Sequence, residues 1–146
     1  MTARADGPPG TLRGLDESYP ALPDAVAQAR RSLTRWLRAL AADDLMSGDI
    51  RVAVSEACTN VVQHGYRGGD RGSFRVHAES GEGAVFVTVS DDGVGLVPRA
   101  DSPGTGLGLP LIGLLSDESQ IATDGTGTVV SMRFTAAGAR ERLAAR

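Results

Sequence analysis

GTGLGLPLIG, residues 104–113, sets three glycines, Gly104, Gly106 and Gly108, ahead of an abruptly apolar run. Glycines in that rhythm before a helix leave backbone N–H groups unencumbered at the positive end of a helix dipole, which suits phosphate. The same composition also makes an ordinary hinge, so its meaning depends on what flanks it. The apolar run that follows, LGLPLIGLLSD, is expected to be a short helix, because Pro110 is tolerated in a first turn.

Upstream of the glycines, DDGVGLVPRADSPGTG is a loop dense in Gly, Pro and Asp. Before it, SFRVHAES and AVFVTVSD alternate apolar and polar residues around SGEG, which predicts a hairpin of strands at 73–79 and 84–91. Downstream, SQIATD and TVVSMRF predict a second hairpin around Asp124-Gly125. Toward the N-terminus, Val26, Ala29, Leu33, Trp36, Leu37 and Leu40 recur at helical steps between Asp24 and Ala42, with Asp24 as the expected cap. A second helix is expected from Asp49 to His64, burying Ile50, Val54, Ala57 and Val61 and stopping at Gly65. TLRGL, residues 11–15, is expected to be an opening strand.

The resulting order, β-α-α-β-β-loop-α-β-β, predicts an α+β fold: a two-layer α/β sandwich whose mixed, mainly antiparallel sheet carries its helices on one face. A doubly wound Rossmann sheet needs strands alternating with helices and is not expected. The 146 residues, 41% hydrophobic, fit one domain. We expect a disordered leader at 1–10, the domain at 11–135 and a short tail at 136–146.

The single cysteine, Cys58, can form no intramolecular disulfide and is expected in the core. No stretch approaches the roughly 20 apolar residues of a membrane span, and MTARADGPPG lacks a signal-peptide pattern, so a cytoplasmic location is expected. All 15 basic residues are arginines, scattered along a chain of net charge -3, so a direct nucleic-acid partner is not expected. The absence of lysine closes the Walker route to phosphate, which needs G-x-x-x-x-G-K-[ST].

Two further constellations carry chemistry. Glu56 and Asn60 lie one helical turn apart on one face. Asn60 could offer an amide oxygen to a hard cation such as Mg²⁺, and Glu56 could act as general base toward a hydroxyl. At the end of a strand, SDDGVGL supplies carboxylates that accept from an amine and glycines that admit a ring. Asp92 is the expected acceptor, tied to Gly93 and Gly95. Alone, the first pattern is also a solvated polar face and the second a glycine turn.

Taken together, the motifs resemble those of the gyrase, histidine-kinase and heat-shock-chaperone ATPase superfamily over residues 11–135. EACTNVVQHG resembles its asparagine box, DDGVG and GTGLGLPLI its two glycine boxes, and GTGTVVSMRF its last motif. The short chain, the arginine-rich first helix and EACTNVVQHGY look most like bacterial anti-sigma-factor serine kinases. That resemblance implies a Bergerat-type ATP-binding fold using ATP with Mg²⁺. It implies Glu56 as catalytic base, Asn60 on the metal, and Asp92 on the adenine amine. Gly93 and Gly95 would shape the adenine pocket, with Thr128 near it, while Gly104, Thr105, Gly106, Leu107, Gly108 and Leu109 wrap the phosphates.

The implied partners are an anti-sigma antagonist bearing the acceptor serine, a sigma factor, and a second copy in a homodimer. Two alternatives stand beside the kinase: a nucleotide-binding interaction module without phosphoryl transfer, and the catalytic domain of a histidine-kinase-type system. Arg99 could reach a phosphate from the short loop VPRADSP. Trp36 could serve the core or a partner, His77 a strand surface, and His64 packing or capping.

Overall fold

The structure is a computed structural model of the chain and describes residues 14–65, 72–93, 108–123 and 127–145. Five strands form one antiparallel sheet in the order β1-β2-β3-β5-β4, with β1 at Leu15–Pro20, β2 at Ser73–Gly81, β3 at Ala84–Asp91, β4 at Glu118–Thr123 and β5 at Thr128–Thr135. Four helices are described: α1 Pro23–Ala39, α2 Asp44–Asn60, α3 Gly108–Leu115 and α4 Ala136–Ala144.

Alternation along the strands explains the two layers. Phe74, Val76 and Ala78 of β2, Val85, Val87 and Val89 of β3, and Val130, Met132 and Phe134 of β5 are all buried. Their intervening neighbours face outward, and Arg75, Phe86 and Val129 among them are exposed. One sheet face is therefore apolar and carries the helices, which contribute Leu33, Leu37, Ile50, Val54 and Ile112 to the same core. Trp36 and Cys58 belong to that core, and burial pushes the Cys58 thiol up to about 12. His77 lies on the outer sheet face, with Nε2 3.0 Å from a Glu79 carboxylate oxygen.

Several boundaries differ from expectation, each for a local reason. The expected opening strand at 11–15 overlaps β1 only at Leu15, and residues 11–13 lie outside the described residues, as does the expected leader. In α1 the cap position is Leu22 with no side-chain cap bond. Asp24 stands inside the first turn, behind Pro23, where its charge suits the helix dipole. Helix α2 begins five residues before the expected Asp49, because Asp43 caps it by accepting from the Met46 N–H at 3.0 Å. Its α-helical hydrogen bonding ends at Asn60 and gives way to a π-helical turn, Val61–Gly65.

Where a tail is expected, α4 forms instead. The Thr135 hydroxyl accepts from the Gly138 N–H at 2.9 Å, and Arg142 reaches back to Asp117 at 2.7 Å and to Asp49 at 3.2 Å. Asp117, just beyond α3, also accepts from the Thr135 hydroxyl. This polar clip ties α4 to the start of α2 and to the end of α3.

Candidate functional site

The clip also orients the helical layer over the sheet. Helix α4 leaves β5 at Thr135, which pairs with Ala84 at the start of β3, and Arg142 of α4 holds Asp49 of α2. The first half of α2 therefore lies over the Ala84/Thr135 end of the sheet. At about 1.5 Å per residue, the run from Asp49 to Asn60 carries α2 about 16 Å toward the opposite end, where Asp91 pairs with Thr128. The last residues of α3 lead into Asp117, whose N–H donates to the Arg133 carbonyl at 2.8 Å, and α3 packs against α2. The end of α2, the end of β3 and the start of β5 thus gather at one end of the domain.

Two polar atoms at that end are buried without a hydrogen-bond partner among the described residues: Asn60 Nδ2 and Asp91 Oδ2. Buried orphans are expensive, and a site built for a ligand is one place where they persist. One is a donor and the other an acceptor. They suit a molecule with acceptor oxygens at one point and an N–H donor at another. Asn60 is 7% exposed, and Glu56 stands half-buried one turn before it on α2. Thr128 is 1% exposed.

The sequence expectation selected Asp92 as the acceptor, but the strand register turns Asp91 inward. Val85, Val87, Val89 and Asp91 share one face by the period of two, whereas Asp92 lies beyond the strand and is exposed. Asp91 Oδ1 accepts from the Gly93 N–H at 2.8 Å, which fixes the carboxylate and leaves Oδ2 pointing elsewhere. Burial pushes the Asp91 carboxyl above its ordinary range, and the neighbouring Asp92 charge adds to this, while the Gly93 N–H works against it. The signal was present in AVFVTVSD itself: its alternation, continued by one step, reaches the first aspartate of the pair, not the second.

Gly127, just before β5, packs against the same backbone; a Cβ there would stand 2.0 Å from the Asp91 carbonyl oxygen. The remaining expected residues divide cleanly. Gly93 stands beside Asp91, and the backbone of Gly108 and Leu109 opens α3. Gly95, Gly104, Thr105, Gly106, Leu107 and Arg99 lie outside the described residues, and no side chain is described for His64. Among the described residues no helix is long and apolar enough to cross a membrane.

Residues 19–134 match the family model of the histidine kinase-like ATPase domain. A serine-protein kinase RsbW of Bacillus thuringiensis (strain Al Hakam) is 34% identical over 101 residues, covering 59% of this chain and 62% of that protein. An anti-sigma F factor of Clostridium beijerinckii is 29% identical over 100 residues, 59% of this chain and 70% of that protein. The chain thus spans a little over three fifths of the RsbW relative's length. Among solved structures, the RsbU and RsbW domains of Rv1364c from Mycobacterium tuberculosis superpose with a TM-score of 0.70 at 28% identity, over 85% of this chain and 32% of that one. The histidine kinase domain of the Erythrobacter litoralis EL346 blue-light activated kinase, at 24% identity and a TM-score of 0.58 over 79% of this chain and 64% of that one, shares the fold.

Proposed function

This chain belongs to the histidine kinase-like ATPase domain family, and from that premise we propose that it is an ATP-dependent protein-serine kinase of the anti-sigma type. In this reading it transfers the γ-phosphoryl group of ATP to a serine of an antagonist protein and sequesters a sigma factor. The observation that carries it is the pair of orphan atoms at one end of the domain, a donor on Asn60 and an acceptor on Asp91, matched to the two ends of a nucleotide. The similarity to a serine-protein kinase RsbW and an anti-sigma F factor supports the choice of branch. By the same resemblance the chain acts in the cytoplasm as a homodimer.

Asp91 Oδ2 accepts from the adenine 6-amino group while the Gly93 N–H holds Oδ1. Gly93 and Gly95 let the ring lie close, and Thr128, paired with Asp91 across the ladder, borders the base. The glycine stretch from Gly104 to Leu109 and the start of α3 wrap the phosphates. Glu56 takes the proton of the serine hydroxyl as that oxygen bonds to the γ-phosphorus and the bond to the bridging oxygen breaks, releasing ADP. Mg²⁺ arriving with the triphosphate supplies charge neutralisation, and the Asn60 amide oxygen is the ligand this chain offers it. Asn60 is buried at the site, and the hydrogen-bonding capacity it leaves unspent is its Nδ2 donor, which suits a phosphate oxygen.

The test incubates the purified chain with γ-labelled ATP, Mg²⁺ and candidate antagonist proteins from the same genome, beside Glu56→Ala. Label on an antagonist serine is expected from the wild type. It should fall about 10²- to 10⁴-fold in the variant, with ATP binding retained. ATP binding without transfer would refute the kinase and leave a nucleotide-binding interaction module. Label on a histidine would instead assign the chain to a histidine-kinase-type system.

A further inference from the structure

We propose that Gly127 is a positioning residue that sets where the Asp91 carboxylate stands, and through it the preference for an amino-purine over an oxo-purine nucleotide. The inference rests on the nucleotide reading above and extends it to a residue that touches neither base nor phosphate in that scheme.

A Cβ built on Gly127 lies 2.0 Å from the Asp91 carbonyl oxygen, 3.0 Å from its carbonyl carbon and 2.9 Å from Asp92 Cα. All three atoms are backbone, so no rotamer change relieves the overlap, and the segments must part by about 1.4 Å to restore ordinary contact. The direction of that movement follows from the ladders. Thr128, the next residue, pairs with Asp91 and with Thr123 of β4, and Asp91 pairs with Thr128 and with Phe74 of β2, so both strands are held up to that pair and Gly127 lies just beyond it. Asp92 and Gly93 lie beyond the last pair of β3. The displacement therefore falls on the segments beyond the Asp91–Thr128 pair, Gly127 on one side and Asp92 with Gly93 on the other, and the latter carries the 2.8 Å clasp between the Gly93 N–H and Asp91 Oδ1 that orients the carboxylate.

Hydrogen bonds tolerate only a few tenths of an ångström around 2.9 Å, so a carboxylate moved this far loses the amine donor it is placed to meet. A 6-oxo purine presents an acceptor at that ring position and has no such bond to lose.

The test titrates ATP and inosine triphosphate into the full chain by calorimetry for wild type, Gly127→Ala, Gly81→Ala, Asp91→Asn and the Asp91→Asn, Gly127→Ala double variant. Gly81 is the control, since its Cβ would meet nothing within 4 Å. In Gly127→Ala, ATP affinity is expected to fall at least about 10-fold and that for inosine triphosphate by less than about twofold. Gly81→Ala should match wild type, and adding Gly127→Ala to Asp91→Asn should not change the ATP-to-inosine-triphosphate ratio further. Equal loss of both nucleotides in Gly127→Ala, including loss through unfolding, overturns the proposal and makes Gly127 a folding residue. An unchanged ratio, or a ratio that keeps falling in the double variant, overturns it as well. A wild type that binds neither nucleotide refutes the functional reading and this inference together, whereas a selective wild type with an equally selective Gly127→Ala refutes this inference alone.

Discussion

Asp91→Asn removes one negative charge and leaves the side chain nearly the same size, so its consequences separate charge from packing. In the proposed complex Asp91 Oδ2 accepts from the adenine amine, a hydrogen bond to an ionised group worth about 1.5–3 kcal/mol. Its loss should weaken ATP binding about 10- to 150-fold. Stability should move the other way. Burial, with help from the Asp92 charge, raises the folded-state pKa of Asp91 above the unfolded value near 3.8. A carboxyl shifted in that direction contributes stability that is present below its unfolded value and is lost as pH rises through the folded one. At neutral pH the free wild-type protein therefore carries a charge it would be more stable without, and Asp91→Asn should melt no lower than wild type. Asp92→Asn, at an exposed position, should change ATP affinity by less than about threefold. Calorimetric titration and thermal melts of both variants check these outcomes. A large loss of affinity in Asp92→Asn with Asp91→Asn unaffected would refute the register reasoning. A drop in both affinity and melting temperature in Asp91→Asn would refute the account of its burial.

Acidification should act through the same residue: as pH falls through the raised pKa of Asp91, the carboxylate becomes neutral and ATP affinity should decline, while inosine triphosphate, whose 6-oxo group can accept from the protonated carboxyl, should lose none over the same window. Arg142→Ala should cost about 3 kcal/mol, since it strips Asp117 and Asp49, each 13% exposed, of a shared cation. That is about 9 °C in melting temperature for a domain of this size. Burial raises the pKa of Asp117, but the Thr135 hydroxyl and Arg142 outweigh it and hold the carboxyl below 3.8. The Arg142→Ala deficit should therefore be full above that value and shrink as pH falls through the lowered one, as read from urea melts across pH. Asp43→Ala, which deletes the α2 cap, should cost about 1 kcal/mol by the same melts.

Much of the architecture was legible because it rests on local periodicity. The alternation of AVFVTVSD located β3 at its observed bounds, and SGEG located the hairpin to β2. The helical step through Leu33, Trp36 and Leu37 located α1. What was misjudged depended on single capping contacts. The second helix was expected only from Asp49, yet Asp43 starts α2 five residues earlier with one side-chain bond. The run AAGARERLA reads as a tail because its apolar residues are small. It is a helix because Thr135 caps it and Arg142 finds Asp117 and Asp49, residues remote in sequence.

The candidate site divides in the same way. The resemblance, carried by short motifs of neighbouring residues, was enough to offer Glu56, Asn60 and Thr128 as candidates. The alternation of AVFVTVSD already puts Asp91 on the side of Val85, Val87 and Val89, but that its Oδ2 is buried without a partner is decided only in the packed sheet. The closeness of Gly127 to Asp91 likewise exists only across the β3–β5 ladder. Chemistry carried by residues one turn apart is written in the sequence; which atoms end up buried without partners is decided when the helices close over one face of the sheet.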